Sequence, residues 1–146
     1  MEGFGVALDL SSLENALQQL EQSLNKIADP NFWPLQDDIT RNLIRAGIIQ
    51  HFEILYELCW KFMQRWLRDN LNQADADYPR TRKELFRMAA RAGLLADPLP
   101  WFGYGESRNL TAHTYNEKEA AIVFDQSAAF ASDARAFFER LRERND

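Results

Sequence analysis

The residues best suited to chemistry lie in one short stretch, RNLTAHTY, at residues 108–115. Arg108 supplies a permanent positive charge and a planar fork of donors that fits a phosphate group. His113 has a side chain that titrates near neutral pH and can take or give a proton. Together the two side chains could bind a phosphodiester and activate a ribose 2′-hydroxyl without a metal ion.

The spacing of these residues limits how they can meet. At about 100° per residue, Arg108 and Tyr115 lie within about 20° of one another on an ideal helix, whereas His113 lies about 140° from Arg108. Either the helix ends or distorts near His113, or the groups converge from two chains across a symmetry axis. Asn116 is a good helix cap and favours the first arrangement. A simpler interpretation needs no site: His113 bonds a carbonyl at a helix end, and Arg108 forms an ordinary salt bridge.

An earlier segment repeats the beginning of this stretch. Arg41, Asn42 and Leu43 match its first three residues, but position 46 is alanine and no histidine follows. We therefore interpret Arg41 as a solvated arginine on a long helix.

Three charged residues recur at intervals of four before the motif. Glu53, Glu57 and Lys61 would share one helix face, with Glu57 and Lys61 in the favourable order for an ion pair. This pattern is typical of a solvent-facing ion ladder. The alternative is a polar edge of a nucleotide-binding cleft.

The remaining candidates are His51 and an aromatic cluster before the motif. His51 lies on an apolar stripe, which favours a core or interface histidine over a catalytic one. Trp101, Phe102 and Tyr104 could stack on a base. At helical spacing, however, they are more typical of a core or an interface.

The composition indicates one globular domain, residues 1–146, with a core over about residues 10–142. The chain has 17.0 kDa, 46% hydrophobic and 27% charged residues. Its net charge of −5 argues against broad coating of RNA or DNA, and we expect no basic track. The single cysteine, Cys59, lies in an apolar run and is expected to be a buried reduced thiol. We expect a cytoplasmic protein without membrane association, since no run of about 18 apolar residues occurs.

Two long helices are predicted in the first half. Leucines recur at spacings of four and three after Ser11 or Ser12, which could cap this helix, and Asp29-Pro30 ends it. A second helix, from about Asp38 to Leu71, carries two apolar stripes. These stripes hold more apolar surface than a small bundle should cover alone, so we predict a homodimer.

Three further helices are predicted in the second half. Thr81 and Glu84 form a capping box for a helix that ends near Gly93. Another helix starts at Asp97-Pro98, and the last opens at Asn116. No stretch alternates as a strand does. The fold class is therefore all-α, an antiparallel up-and-down bundle of four to five helices.

RNLTAHTY resembles the R-x4-6-H signature of HEPN domains. In addition, IIQHFEILYELCWKFMQRWL (residues 48–67) and TRKELFRMAARAGLL (residues 81–95) resemble helices of the nucleotidyltransferase substrate-binding proteins. With Trp101, the resemblance covers roughly residues 10–140. It implies a helical homodimer similar to the substrate-binding domain of kanamycin nucleotidyltransferase. Its partner would be a minimal nucleotidyltransferase encoded nearby.

The resemblance also implies roles for single residues, without a cofactor or a metal. Arg108 would bind phosphate, Asn109 would orient the site, His113 would be the acid–base group, and Tyr115 would receive AMP. The first function implied is a nucleotide- or substrate-binding subunit of the transferase. The alternative is a metal-independent endoribonuclease, the toxin of a toxin–antitoxin pair, neutralised when the transferase adds AMP to Tyr115.

Overall fold

A computed structural model describes residues 7–71, 79–111 and 116–145 of the chain. These ranges contain five α-helices and one 3₁₀ turn, and no strand occurs within them. The helices are α1 (Ser11–Ile27), α2 (Asp38–Asn70), α3 (Arg82–Arg91), α4 (Leu99–Thr111) and α5 (Glu117–Glu143); the 3₁₀ turn is Trp33–Leu35.

The four long helices alternate in direction along the chain. The α1 helix is antiparallel to α5: Leu8, before α1, donates its N–H to Asn145 Oδ1 after α5 at 2.8 Å, whereas Glu21, later in α1, pairs with the earlier residue Arg135 at 2.5 Å. Helices α2 and α5 are parallel. The rings of Phe52 and Phe130 are 4.5 Å apart, and fourteen residues further along each helix Trp66 Nε1 donates to the Arg144 carbonyl at 3.4 Å. The short α3 helix connects α2 to α4. The predicted all-α up-and-down bundle is confirmed.

Local signals set most of the helix starts. Asp37, Thr81 and Asn116 each cap the following helix by accepting a backbone N–H with the side-chain oxygen. The predicted cap by Ser11 or Ser12 is wrong. The α1 helix begins at Ser11 after Leu10, and Ser11 donates to the Asp9 carboxylate instead.

Most of both apolar stripes of α2 is covered by the chain itself, and Ile44, Leu58 and Trp66 are half-buried. Ile48, Phe52, Leu55, Cys59 and Met63 are all buried against α1, α3, α4 and α5. The bundle therefore covers more of these stripes than the sequence predicts, and the homodimer stays a prediction. Large apolar side chains are instead exposed around the start of α2, at Leu35, Ile39 and Leu43. In the parts of the chain that the structure describes, no helix has the length and apolarity needed to cross a membrane.

Candidate functional site

Arg108 lies in the last turn of α4 and faces two carboxylates of α2. Its Nη1 is 3.4 Å from Glu53 Oε2, and its Nε is 3.4 Å from Glu57 Oε1. Because Glu53 and Glu57 are one turn apart on α2, both can reach the same guanidinium. Two members of the predicted ion ladder thus face Arg108. The third, Lys61, is exposed, and its ammonium lies 5.6 Å from the Trp60 ring.

The guanidinium of Arg108 keeps hydrogen-bonding capacity despite these two ion pairs. Charge-assisted N–H···O bonds are typically about 2.7–2.9 Å long, so both contacts are long. The Nε atom is buried and has no hydrogen-bond partner among the described residues. Arg108 itself is 26% exposed. Because Nε itself is buried, an anionic ligand would reach Arg108 through the exposed part of the side chain, whose two ion pairs are both long.

Glu57 is held in place by its own neighbours. Trp60 Nε1 donates to Glu57 Oε2 at 2.5 Å, and the guanidinium of Arg82 lies 3.9 Å from the Trp60 ring. Arg82, the first residue of α3, also donates to the Tyr56 hydroxyl at 3.1 Å. Burial raises the pKa of Tyr56, although the Arg82 contact opposes this change. The first turn of α3 thus supports the carboxylate that faces Arg108.

A close approach of α4 to α2 depends on Gly105. A Cβ atom at this position would lie 2.8 Å from the Tyr56 hydroxyl. Glycine therefore allows α4 to lie close enough for Arg108, one turn later, to reach Glu53 and Glu57. The sequence identifies neither feature. Gly105 is close to the motif but carries no local signal, and Trp60 and Arg82 are distant from the motif along the chain.

Polar contacts fix α4 against α5. The hydroxyl of Tyr104 donates to the Asp133 carboxylate, and the buried Ser107 hydroxyl bonds the Gln126 side chain. Burial, together with the Asp133 contact, raises the pKa of Tyr104. Trp101 and Tyr104 are buried core residues, as predicted.

The other sequence-predicted residues are placed as follows. Asn109 is exposed beside Arg108 on α4. His113 and Tyr115 lie outside the described residues, so their convergence with Arg108 stays a prediction. Arg41 pairs at 3.4 Å with Asp38 of its own helix, a carboxylate at the surface. His51 is half-buried beside a groove of about 410 Å³ between α1 and α2.

The described residues contain no group of three or more His, Cys, Asp or Glu side chains placed to hold a metal ion. What the arrangement offers is one arginine with free donor capacity and two carboxylates as acceptors.

Comparisons with known proteins place the chain in a family. The sequence model described as "nucleotidyltransferase substrate binding protein like" matches residues 8–143. The chain belongs to this family. The Haemophilus influenzae protein named "probable ribonuclease HepT" is 36% identical over 138 residues, covering 94% of each chain.

Two solved structures share the fold. A Haemophilus influenzae protein, described as having the fold of a substrate-binding domain of a nucleotidyltransferase, has a TM-score of 0.84 and 35% identity; the match covers 92% of this chain and 99% of that one. A Thermus thermophilus protein has a TM-score of 0.69 and 30% identity, covering 89% of this chain and 98% of its own.

Proposed function

We propose that this family member is a nucleotide- or substrate-binding subunit that pairs with a separate minimal nucleotidyltransferase. Arg108 is its phosphate-binding residue. The observation that carries this proposal is the partly exposed Arg108 side chain, whose ion pairs with Glu53 and Glu57 are both long, at 3.4 Å. Membership of the family supports the pairing with a transferase.

The chemistry follows from the three side chains that meet at the site. A nucleotide phosphate would bind the partly exposed side chain of Arg108, and this charge-assisted contact is stronger than a neutral one. Glu53 and Glu57 would accept hydrogen bonds from sugar hydroxyls, forming the polar edge of the cleft. In this proposal Asn109 and His113 complete the binding surface, and Tyr115 presents its hydroxyl beside it.

A nucleotide titration tests the role of Arg108. We expect Arg108→Ala to weaken AMP binding by roughly 10- to 100-fold, since hydrogen bonds to charged groups contribute about 1.5–3 kcal/mol. Arg41→Ala is the matched control, because Arg41 begins the same Arg-Asn-Leu sequence on another helix. Calorimetry would measure both variants. Equal losses in the two would refute the assignment.

Co-expression tests the pairing. The chain and a nucleotidyltransferase encoded next to it should form a complex that survives gel filtration. We propose that this chain enters the complex as a cytoplasmic, single-domain homodimer. Failure to associate, whichever gene comes first, would contradict the pairing without bearing on nucleotide binding by Arg108.

The second candidate is a metal-independent endoribonuclease, favoured by the relative named as a probable ribonuclease. In this proposal His113 takes the proton of a ribose 2′-hydroxyl while Arg108 holds the adjacent phosphate. The 2′-oxygen attacks phosphorus, and the 5′-oxygen leaves and takes up a proton from the solvent or from His113, so one product carries a 2′,3′-cyclic phosphate and the other a 5′-hydroxyl. The transferase would end this activity by adding AMP to Tyr115, as in a toxin–antitoxin pair.

Cleavage assays separate the two candidates. EDTA should leave ribonuclease activity intact, whereas His113→Ala should lower it by ~10²–10⁴-fold. Arg108→Lys should also lower it, because lysine keeps the charge but loses the planar fork. Tyr115→Phe should cleave normally but escape modification. If the purified dimer cleaves no RNA between about pH 6 and 9, the enzyme proposal fails and the binding proposal remains.

A further inference from the structure

Helix α3 and the residues just before it carry a charge opposite to that of the rest of the chain. Residues 80–91 hold five of the 17 Lys and Arg residues and one of the 22 Asp and Glu residues. This segment therefore has a formal charge of +4, whereas the rest of the chain has −9. This segment is therefore a basic stretch of an acidic chain, which the net charge by itself does not reveal.

The positive charges of this segment are open to solvent and lack carboxylate partners among the described residues. The five cations of the segment are Arg80, Arg82, Lys83, Arg87 and Arg91. All are exposed, and none forms an ion pair with a described residue. The one acidic residue of the segment, Glu84, turns back to accept the backbone N–H of Arg80 at 2.9 Å. The surface is therefore free to attract an anion.

Aromatic rings lie beneath these cations. Arg82 lies 3.9 Å from the Trp60 ring, while Lys83 and Arg87 lie 5.5 and 5.2 Å from the Phe102 ring. Trp60 and Phe102 are half-buried, so a base that stacks on either ring would take the place of the cation that lies over it. Sites for single-stranded nucleic acid combine two features: cations along the path of the phosphate backbone, and aromatic rings that stack on the bases. An acidic polypeptide would use the cations but would gain little from the rings.

A chain of side-chain contacts links Arg82 of this surface to the Arg108 site. Arg82 packs on Trp60, Trp60 donates to Glu57, and Glu57 faces Arg108. We infer that the exposed face of α3 is a track for the backbone of single-stranded RNA that leads to Arg108. This inference rests on the proposed phosphate-binding role of Arg108. It names RNA as the polymer that reaches the site.

The test measures RNA affinity of the full chain as a function of salt. The probe is a fluorescein-labelled single strand of about 20 nucleotides, 2′-O-methylated so that it cannot be cleaved, and about the length that one or a few binding sites of this kind cover. The α3 variant is Lys83→Gln/Arg87→Gln/Arg91→Gln, which spares Arg82 and its contacts. The control is Arg41→Gln/Arg65→Gln/Arg142→Gln, which removes the same charge from α2 and α5. Circular dichroism checks that both variants fold.

We expect the α3 variant to lose about tenfold or more in affinity at roughly 0.1 M KCl, and its salt slope to fall by about 2, since each lost phosphate contact removes about 0.7. The control should stay close to the unaltered chain. Equal losses in both variants would overturn the inference, because net charge alone would explain them. Absence of RNA binding by the unaltered chain at low salt would also overturn it.

Two measurements separate this inference from the proposed function. AMP binding should survive in the α3 variant and be lost in Arg108→Ala. If the α3 variant binds RNA normally but no longer associates with the transferase, α3 is a protein-docking surface and the inference is wrong. Loss of AMP binding by Arg108→Ala would still support the proposed function in that case.

Discussion

At the scale of single residues, the setting of Arg108 is suited to ligand exchange. Arg108, Glu53 and Glu57 are 26%, 28% and 32% exposed, so solvent screens their ion pairs. Screened pairs of this kind contribute about 0–1 kcal/mol to folding. We infer that the two carboxylates mainly orient the guanidinium, and that a phosphate can replace them without a large loss of stability.

Gly105 and Gly103 offer a matched test of the close approach between α4 and α2. Alanine is favoured over glycine in a helix by about 1 kcal/mol, and a Cβ at Gly103 meets no atom within 4 Å. Gly103→Ala should therefore stabilise the protein. Gly105→Ala forces its Cβ to within 2.8 Å of the buried Tyr56 hydroxyl and should cost about 1–3 kcal/mol. Urea unfolding measures both; equal stabilities would mean that the close approach is absent.

The burial of Cys59 leads us to expect a change in protein stability in alkaline solution. Its side chain is buried, as the sequence predicted, and burial raises the pKa of the thiol above its usual range. Above about pH 8.5 the unfolded chain loses this proton while the folded chain keeps it, so stability should fall by up to about 1.4 kcal/mol per pH unit. Below that pH the contribution is constant. Between about pH 7 and 9.5, the unfolding free energy of Cys59→Ala should fall less steeply with pH than that of the unaltered chain. An equal fall in both would contradict the raised pKa of Cys59.

At the scale of elements, the start of α5 adjoins the motif and is set by a single side chain. The oxygen of Asn116 accepts the backbone N–H groups of Lys118 and Glu119 at 2.8 and 3.4 Å. Glu117 and Glu119 add negative charge to the first turn, where the helix dipole favours it. A local cap therefore defines where α5 begins.

Replacement of Asn116 tests this cap. Asn116→Ala should destabilise the protein by about 1 kcal/mol, since two backbone N–H groups lose their acceptor. Asn116→Asp keeps an acceptor and should stay close to the unaltered chain. Thermal unfolding would compare the two. If alanine and aspartate behave alike, the cap contributes nothing to stability.

At the scale of the whole molecule, the three most exposed large apolar side chains of the described residues lie around the start of α2. Leu35, Ile39 and Leu43 are between 69% and 76% exposed. We call these three residues the α2-start patch. Contiguous apolar surface on a folded chain commonly marks an interaction site. The proposed homodimer therefore depends on this patch rather than on the buried stripes of α2.

Light scattering at micromolar concentration tests the homodimer. The unaltered chain should give about twice its mass of 17.0 kDa, because a second copy would cover the α2-start patch. Leu43→Arg should shift the mass toward the monomer. The control Leu99→Arg changes a leucine that is 65% exposed on α4 and should leave the mass unchanged. A monomeric unaltered chain would contradict the homodimer and any composite site across it.

Interactions between residues close in sequence made most of the fold predictable. The caps at Thr81 and Asn116 and the turn at Gly93, whose φ is +87°, each depend on residues within about four positions. Leucine spacing in α1 likewise predicted its buried face. The predicted cap of α1 is wrong because the Asp9 carboxylate, two residues earlier, accepts hydrogen bonds from both the hydroxyl and the backbone N–H of Ser11.

The sequence by itself determined which residues form helices and that Arg108 is the cation of the motif. Only the tertiary structure decided what Arg108 faces: Glu53 and Glu57 precede it by about fifty residues, and their meeting depends on how closely α4 packs on α2. The same packing places Arg82 of α3 over Trp60. Helix formation follows from hydrogen bonds and spacing within a few residues, whereas contacts between helices depend on which side chains fit together across the core.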